Sequence, residues 1–294
     1  MTQIKKVGVL GAGLMGHGIA QVIAQSGYDV VLREVDDERL GKGLGKIDKQ
    51  LAKAVEKGKL SDEDAGVVRA RIRGTLDYGD FADCDLVLEA ITEDLQLKLD
   101  MWRELDRIAK AEAFFATNTS SLSVIQQAAS TSRPDRFVGI HFFNPAQVMK
   151  LVEVVRGITT SDETFEMAVA FTKSVGKSGV PTKDKAGFIV NRLLIPYMLD
   201  AIRAYEEGVG SVAEIDEAMK LGAGHPMGPL LLADFIGLDL LFSIGGVLFD
   251  EFRERRFSAP PTLRKMALAG WYGRKSGMGF YDYSGEAPVP NPAL

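Results

Sequence analysis

A chain of 294 residues with 46% hydrophobic content can bury the core of one large domain or two of ordinary size, which excludes a disordered chain. Lys and Arg total 35 against 40 Asp and Glu, a formal charge of -5, without the basic stripe that binding a phosphate backbone requires, so no nucleic acid is expected as a partner. The single cysteine, Cys84, rules out an internal disulfide and a cysteine-based zinc cage, and no metal is expected.

The opening MTQIKKVGVLGAG runs straight into an apolar strand over Lys6 to Leu10 and leaves no room for a separate targeting segment, so a cytoplasmic enzyme is expected. Gly11, Gly13 and Gly16 follow as GxGxxG, and GHGIAQVIAQSG then reads as a helix. In that setting Gly11 permits a tight turn, Gly13 lets backbone approach a pyrophosphate, and Gly16 permits close helix packing. The helix N-terminus stabilises the negative charge. The loop Gly11, Ala12, Gly13, Leu14, Met15 and Gly16 is therefore the expected dinucleotide cradle. A second strand, Asp29 to Glu34, ends on a carboxylate that can accept both adenosine-ribose hydroxyls, which favours NAD. Arg33 beside it leaves NADP open.

Asp37 to Arg73 reads as two helices, the first closed by Gly58 and the second opened by a capping pair, Ser61 and Asp64. This excursion is expected to project from the sheet. Further β-rich runs at Leu86 to Glu89, Ala113 to Thr117, Phe137 to His141 and Leu151 to Val155 alternate with helical stretches, as in a mostly parallel sheet. After about Lys185 the strand signals stop, and Phe188, Asn191, Leu194, Ile195, Met198, Leu199 and Ile202 recur at helical spacing. The expected architecture is α/β: a Rossmann-type, mostly parallel sheet with a helical excursion over residues 1–185, then an all-α C-terminal domain over 186–294. In the latter, SVAEIDEAMKLG reads as a helix ending near Gly222, and Leu230 to Phe249 as a buried helix pair or a subunit contact. No run reaches the ~20 uninterrupted apolar residues of a membrane span. The tail from Glu286 is expected to fray.

His141, at the end of the strand VGIHF and before an Asn-Pro turn, is the best placed of the 3 histidines to act as a general base. His17, inside the dinucleotide helix, and His225, before Pro226, read as structural. Glu153 interrupts the apolar run KLVEVV, where an ionised carboxylate is costly without a partner. An adjacent strand could bring it to His141, fixing the tautomer and stabilising the imidazolium. The residues alone leave open a core histidine and an edge glutamate facing water. TNTSSLS, Thr117 to Ser123, offers hydroxyls at the same sheet edge, with Ser120 or Ser121 as a helix N-cap and its neighbour facing substrate. Asn191, an amide in an otherwise apolar helix, could donate to a substrate carbonyl.

The segments GAGLMGHGIAQ, DCDLVLEAITED, TNTSSLS, GIHFFNPAQVMKLVEVVRG, AGFIVNRLLIPY, KLGAGHPMGPL, DFIGLD and GWYGRKSGMGFYDY resemble the 3-hydroxyacyl-CoA dehydrogenase family nearly end to end. The likeness is greatest to bacterial members that interconvert acetoacetyl-CoA and 3-hydroxybutyryl-CoA. The resemblance implies NAD-dependent oxidation with His141 as catalytic base, Glu153 as its orienting partner, and Ser120 and Asn191 on substrate oxygens. It further implies that Glu34, Glu93, Lys98, Ser120, Asn144 and Lys275 line the cofactor site and that Lys57 contacts the acyl-CoA. Gln50 stands where some relatives carry serine, and Glu34 where many carry Asp. The apolar second domain implies a homodimer. Two other classes stay open on the residues: a dinucleotide-binding or structural relative without chemistry, and a dehydrogenase of another small hydroxy acid that uses a lysine base.

Overall fold

A computed structural model of the chain describes residues 4–294. The chain folds into two compact units, one running to Phe188 and the other from Ile189 to Leu294.

The first unit is built on an eight-stranded sheet. Its elements are β1 (Lys6–Leu10), α1 (Gly16–Gln25), β2 (Asp29–Arg33), α2 (Asp37–Glu56), α3 (Asp62–Ala70), β3 (Ile72–Thr75), β4 (Leu86–Glu89), α4 (Leu95–Ile108), β5 (Phe114–Thr117), α5 (Val124–Ala128), β6 (Phe137–Phe142), β7 (Leu151–Arg156), α6 (Asp162–Ser174) and β8 (Ser178–Lys183). The strand order is β3-β2-β1-β4-β5-β6-β7-β8. Neighbours run parallel except β6 and β7, which are antiparallel. The order reverses between β1 and β4, and in such sheets that crevice is where ligands bind. The Rossmann-type sheet expected from the alternating pattern is borne out. Helices cover both faces, so β1, β4, β5 and β6 are buried along nearly their whole length and read as continuous apolar runs.

Two strands had too weak a signal to be expected. Ile72–Thr75 is the edge strand β3, so Arg73 ends no helix, and SGVPTK forms β8 although most of its side chains face solvent. The excursion is not detached from the sheet. Leu40, Ile47 and Leu51 of α2 enter the main core, and Gly43 lets α2 close onto Ala12 of the glycine turn, where an added Cβ would lie 2.4 Å from the Ala12 Cβ. The Ser61 hydroxyl caps α3 as expected, accepting from the Asp64 amide.

The second unit holds α7 (Val190–Glu206), α8 (Val212–Ala223), α9 (Pro229–Ile236), α10 (Leu238–Phe252), α11 (Pro261–Leu268) and a small ribbon of β9 (Tyr281–Asp282) and β10 (Val289–Pro290). The apolar stretch from Leu230 is the helix pair α9 and α10, bent by 95°, and no single helix among the described residues is long and apolar enough to cross a membrane. Helix α8 closes on Gly224, whose φ of 68° suits a left-handed cap better than Gly222 would. Contrary to expectation the tail does not fray. β10 pairs with β9, and buried Asn291 donates to the Gly279 carbonyl at 2.8 Å.

Candidate active site

The glycine turn leaves β1 at the switch point. Gly11 has a φ of 88°, and a Cβ there would lie 2.6 Å from the Ala90 carbonyl oxygen after β4. Only glycine fits so close an approach in that conformation. A Cβ on Gly13 would meet no atom within 4 Å, so this position faces an open cradle of the kind a pyrophosphate fills. Gly16 presses on its own loop: a Cβ would fall 1.7 Å from the Gly11 carbonyl oxygen. The first turn of α1 carries no acidic side chain and no side-chain cap, leaving its amide dipoles for an anion. Ala12 is buried, Leu14 is exposed and Met15 occupies the N-cap of α1.

Glu34 braces this turn, its Oε1 accepting from the Ala12 amide at 2.8 Å and its Oε2 from the Val35 amide at 3.0 Å. The Arg33 guanidinium lies 3.6 Å over the Tyr78 ring and its Nε donates to the Leu76 carbonyl. His17 donates from Nδ1 to the Gly13 carbonyl, and its Nε2 faces the Gln50 amide at 3.3 Å. Burial lowers the pKa of His17, so the neutral ring is a strut between turn and helix.

At the ends of β4 and β5 the structure brings Glu93, Lys98 and Ser120 together. Lys98 is 1% exposed, with its ammonium 2.6 Å from Glu93 and 3.0 Å from Glu89. Burial disfavours that charge, but the two carboxylates outweigh it and hold the pKa above the usual lysine value. Glu93 Oε1 accepts from the Thr119 hydroxyl, the Ser120 amide and both the amide and hydroxyl of Ser121. Burial works against the charged Glu93, yet Lys98 and these donors bring its pKa below the ordinary range. Neither Ser120 nor Ser121 caps α5. That role falls to Ser123, with Asp184 accepting from the Val124 and Ile125 amides.

The antiparallel register of β6 and β7 places His141 opposite Glu153. The His141 Nδ1 is 2.8 Å from Glu153 Oε2, with the two side chains 7% and 1% exposed. A carboxylate has acceptors only, so Nδ1 carries the donated proton, and in the neutral ring Nε2 is the nitrogen with the lone pair. The Phe143 and Phe188 rings flank the imidazole at 4.5 and 5.6 Å. Asn118 Oδ1 accepts from the Phe142 amide and ties the Ser120 loop to the histidine strand.

Lys57 is the exposed C-cap of α2, and exposed Asn144 precedes Pro145 through a cis peptide bond. Asn191 sits half-buried in the first turn of α7, and Lys275 pairs with Asp239 at 2.6 Å within the second unit. Glu89 was missed. Like Glu153, it is a glutamate in an apolar strand, here closing LVLE, and that was its only signal.

A glycine turn at the switch point, a carboxylate closing β2 and a carboxylate-backed histidine define an NAD-dependent oxidoreductase. Two family models cover nearly the whole chain: the NAD binding domain of 3-hydroxyacyl-CoA dehydrogenase matches residues 6–185 and its C-terminal domain residues 187–283. The chain therefore belongs to the 3-hydroxyacyl-CoA dehydrogenase family. It is 49% identical over 287 residues to 3-hydroxybutyryl-CoA dehydrogenase of Bradyrhizobium diazoefficiens, covering 98% of each chain. It is 45% identical to the human mitochondrial hydroxyacyl-coenzyme A dehydrogenase, covering 95% of this chain and 91% of that one. Among solved structures, (S)-3-hydroxybutyryl-CoA dehydrogenase PaaH1 from Ralstonia eutropha superposes with a TM-score of 0.93 at 43% identity, over 96% of this chain and 100% of that one.

Proposed function

We propose that the enzyme interconverts a short-chain 3-hydroxyacyl-CoA, 3-hydroxybutyryl-CoA above all, and its 3-oxo counterpart, with His141 as the proton-transfer group. The observation that carries this reading is the buried contact of His141 with Glu153. In the oxidative direction the O–H bond breaks as the His141 Nε2 takes the 3-hydroxyl proton. Bound NAD supplies the acceptor for the C3 hydride, giving 3-oxoacyl-CoA, NADH and a proton. The Glu153 carboxylate holds the ring through Nδ1 and stabilises the imidazolium until the proton leaves. In reduction the same imidazolium returns the proton.

In this reading the cradle Gly11 to Gly16 and Glu34 hold the dinucleotide, and Glu93, Lys98, Asn144 and Lys275 serve its nicotinamide half. Ser120 and Asn191 donate to substrate oxygens, and Lys57 meets the CoA. Residues 1–185 form the NAD-binding domain, and residues 186–294 the helical substrate and dimerisation domain. Exposed apolar side chains on α9 and α10, such as Phe235, Leu240 and Phe242, support the dimer. A free, buried cysteine suits a reducing cytoplasm, and an acyl-CoA substrate suits a role in fatty acid metabolism.

The test is acetoacetyl-CoA reduction followed by loss of NADH absorbance, with NADPH and a series of acyl chain lengths alongside. Turnover with a preference for NADH and short chains is expected, and His141→Ala should lose roughly a hundred- to ten-thousand-fold in kcat. NADH binding without turnover, or indifference to CoA esters, would sink the reading.

A further inference from the structure

The Glu89–Lys98–Glu93 cluster is costly. Glu89 is 0% and Lys98 1% exposed, so an ion pair lies buried inside the unit, with Glu93, 36% exposed, as a second, partly solvated counter-ion. Apolar residues of similar volume would serve stability as well or better than a buried ion cluster. Its position argues for another use. Glu89 ends β4 beside the switch point and is in register with Leu10, which leads into the glycine turn, and with Thr117, which leads into the Ser120 loop.

Each partner of Glu89 is a donor. Its Oε1 takes the Ile91 amide at 2.8 Å and the Lys98 ammonium at 3.0 Å, and its Oε2 the Thr117 hydroxyl at 2.7 Å. Thr117 in turn accepts from the Thr119 amide at 3.2 Å, which leaves its hydroxyl proton for Glu89. Burial raises the pKa of Glu89 against the pull of Lys98 and Thr117, but surroundings made only of donors require the carboxylate form. Lys98 then passes the constraint to Glu93, and Glu93 to the Ser120 loop.

We propose that Glu89 is a positioning residue that, through the Lys98 ammonium, sets the Glu93 carboxylate against the Ser120 amide and so holds the cofactor-side and substrate-side loops in one register. The inference rests on the reading above in so far as Ser120 and Glu93 serve substrate and cofactor. The charged groups facing Lys98 are Glu89 on β4 and Glu93 in the loop after it. Without the Glu89 charge, Lys98 keeps one counter-ion in a buried site and its proton is held less firmly.

The test is Glu89→Gln, which keeps the side chain's size and an acceptor for the Ile91 amide, removes the charge, and puts an N–H donor against the Thr117 hydroxyl, which can turn to accept it. The variant should fold and melt as a cooperative unit, with kcat/KM for acetoacetyl-CoA lowered roughly tenfold or more at neutral pH. The ratio of variant to wild type should fall further between about pH 7 and pH 9.5 as Lys98 loses its proton. NADH affinity, titrated by fluorescence over the same range, should weaken in parallel. That binding readout keeps the two ideas separable: acetoacetyl-CoA left unreduced by the wild type defeats the substrate assignment, whereas Glu89 is still judged on NADH. Should Glu89→Gln not fold, Thr117→Val decides the matter, with a smaller loss of the same kind expected. A folded Glu89→Gln, or in its place Thr117→Val, with wild-type kinetics, NADH affinity and pH ratio overturns the proposal, even if its Tm is lower.

Discussion

His141 and Glu153 touch because β6 and β7 run antiparallel: the register puts their Cα positions opposite, and the side chains meet at 2.8 Å on a buried face. Residues twelve apart in sequence thus become a single chemical unit. Glu153→Gln keeps an acceptor for Nδ1 but removes the charge that stabilises the imidazolium. Its kcat should fall roughly a hundredfold or more while NADH affinity stays near wild type, read by steady-state kinetics and fluorescence titration. Unchanged kcat would show that the carboxylate only fills space.

Gly11 and Gly13 should respond to alanine in different ways. At Gly11 the positive φ and the 2.6 Å approach to Ala90 predict a fold destabilised by about 1–3 kcal/mol. At Gly13 the added Cβ meets nothing within 4 Å, so Tm should hold while the Kd for NADH rises about tenfold or more. Calorimetry with and without NADH checks both, and an unaltered Kd in Gly13→Ala would remove the pyrophosphate from that cradle.

In the second unit Asp234 is 1% exposed and accepts from the Phe280 and Tyr281 amides and the Tyr283 hydroxyl. Burial outweighs these donors and, with Asp216 nearby, raises its pKa to about 6 from 3.8. The folded state therefore binds this proton more tightly than the unfolded chain, so the group weakens the fold as pH rises from about 4 to about 6, by on the order of 1–3 kcal/mol. Stability measured against Asp234→Asn should show a wild-type advantage that shrinks across that window. A gap independent of pH would count against it.

Cys84 is fully buried, and burial raises its thiol to about 12. As the sole cysteine it makes a clean probe. Alkylation of the native enzyme at neutral pH should be negligible over hours and should track global unfolding when denaturant is added. Fast labelling without denaturant would reveal local opening around β4.

Much of this was legible in the chain itself. The glycine turn, the strands leading to it, the helix pair of the second unit and His141 each carry a local signature, because backbone conformation and binary patterning act over a few residues. What the chain order could not decide was which strands become neighbours. Strand order determines that Glu153 reaches His141 and that Glu89, which closes LVLE, pairs with buried Lys98 beside the part-exposed Glu93. Edge strands β3 and β8 were invisible because half-solvated positions do not require an apolar pattern. The tail is held by Asn291 through one buried hydrogen bond that composition does not encode. Local propensity acts along the chain, while the partner of a buried charge is chosen across it.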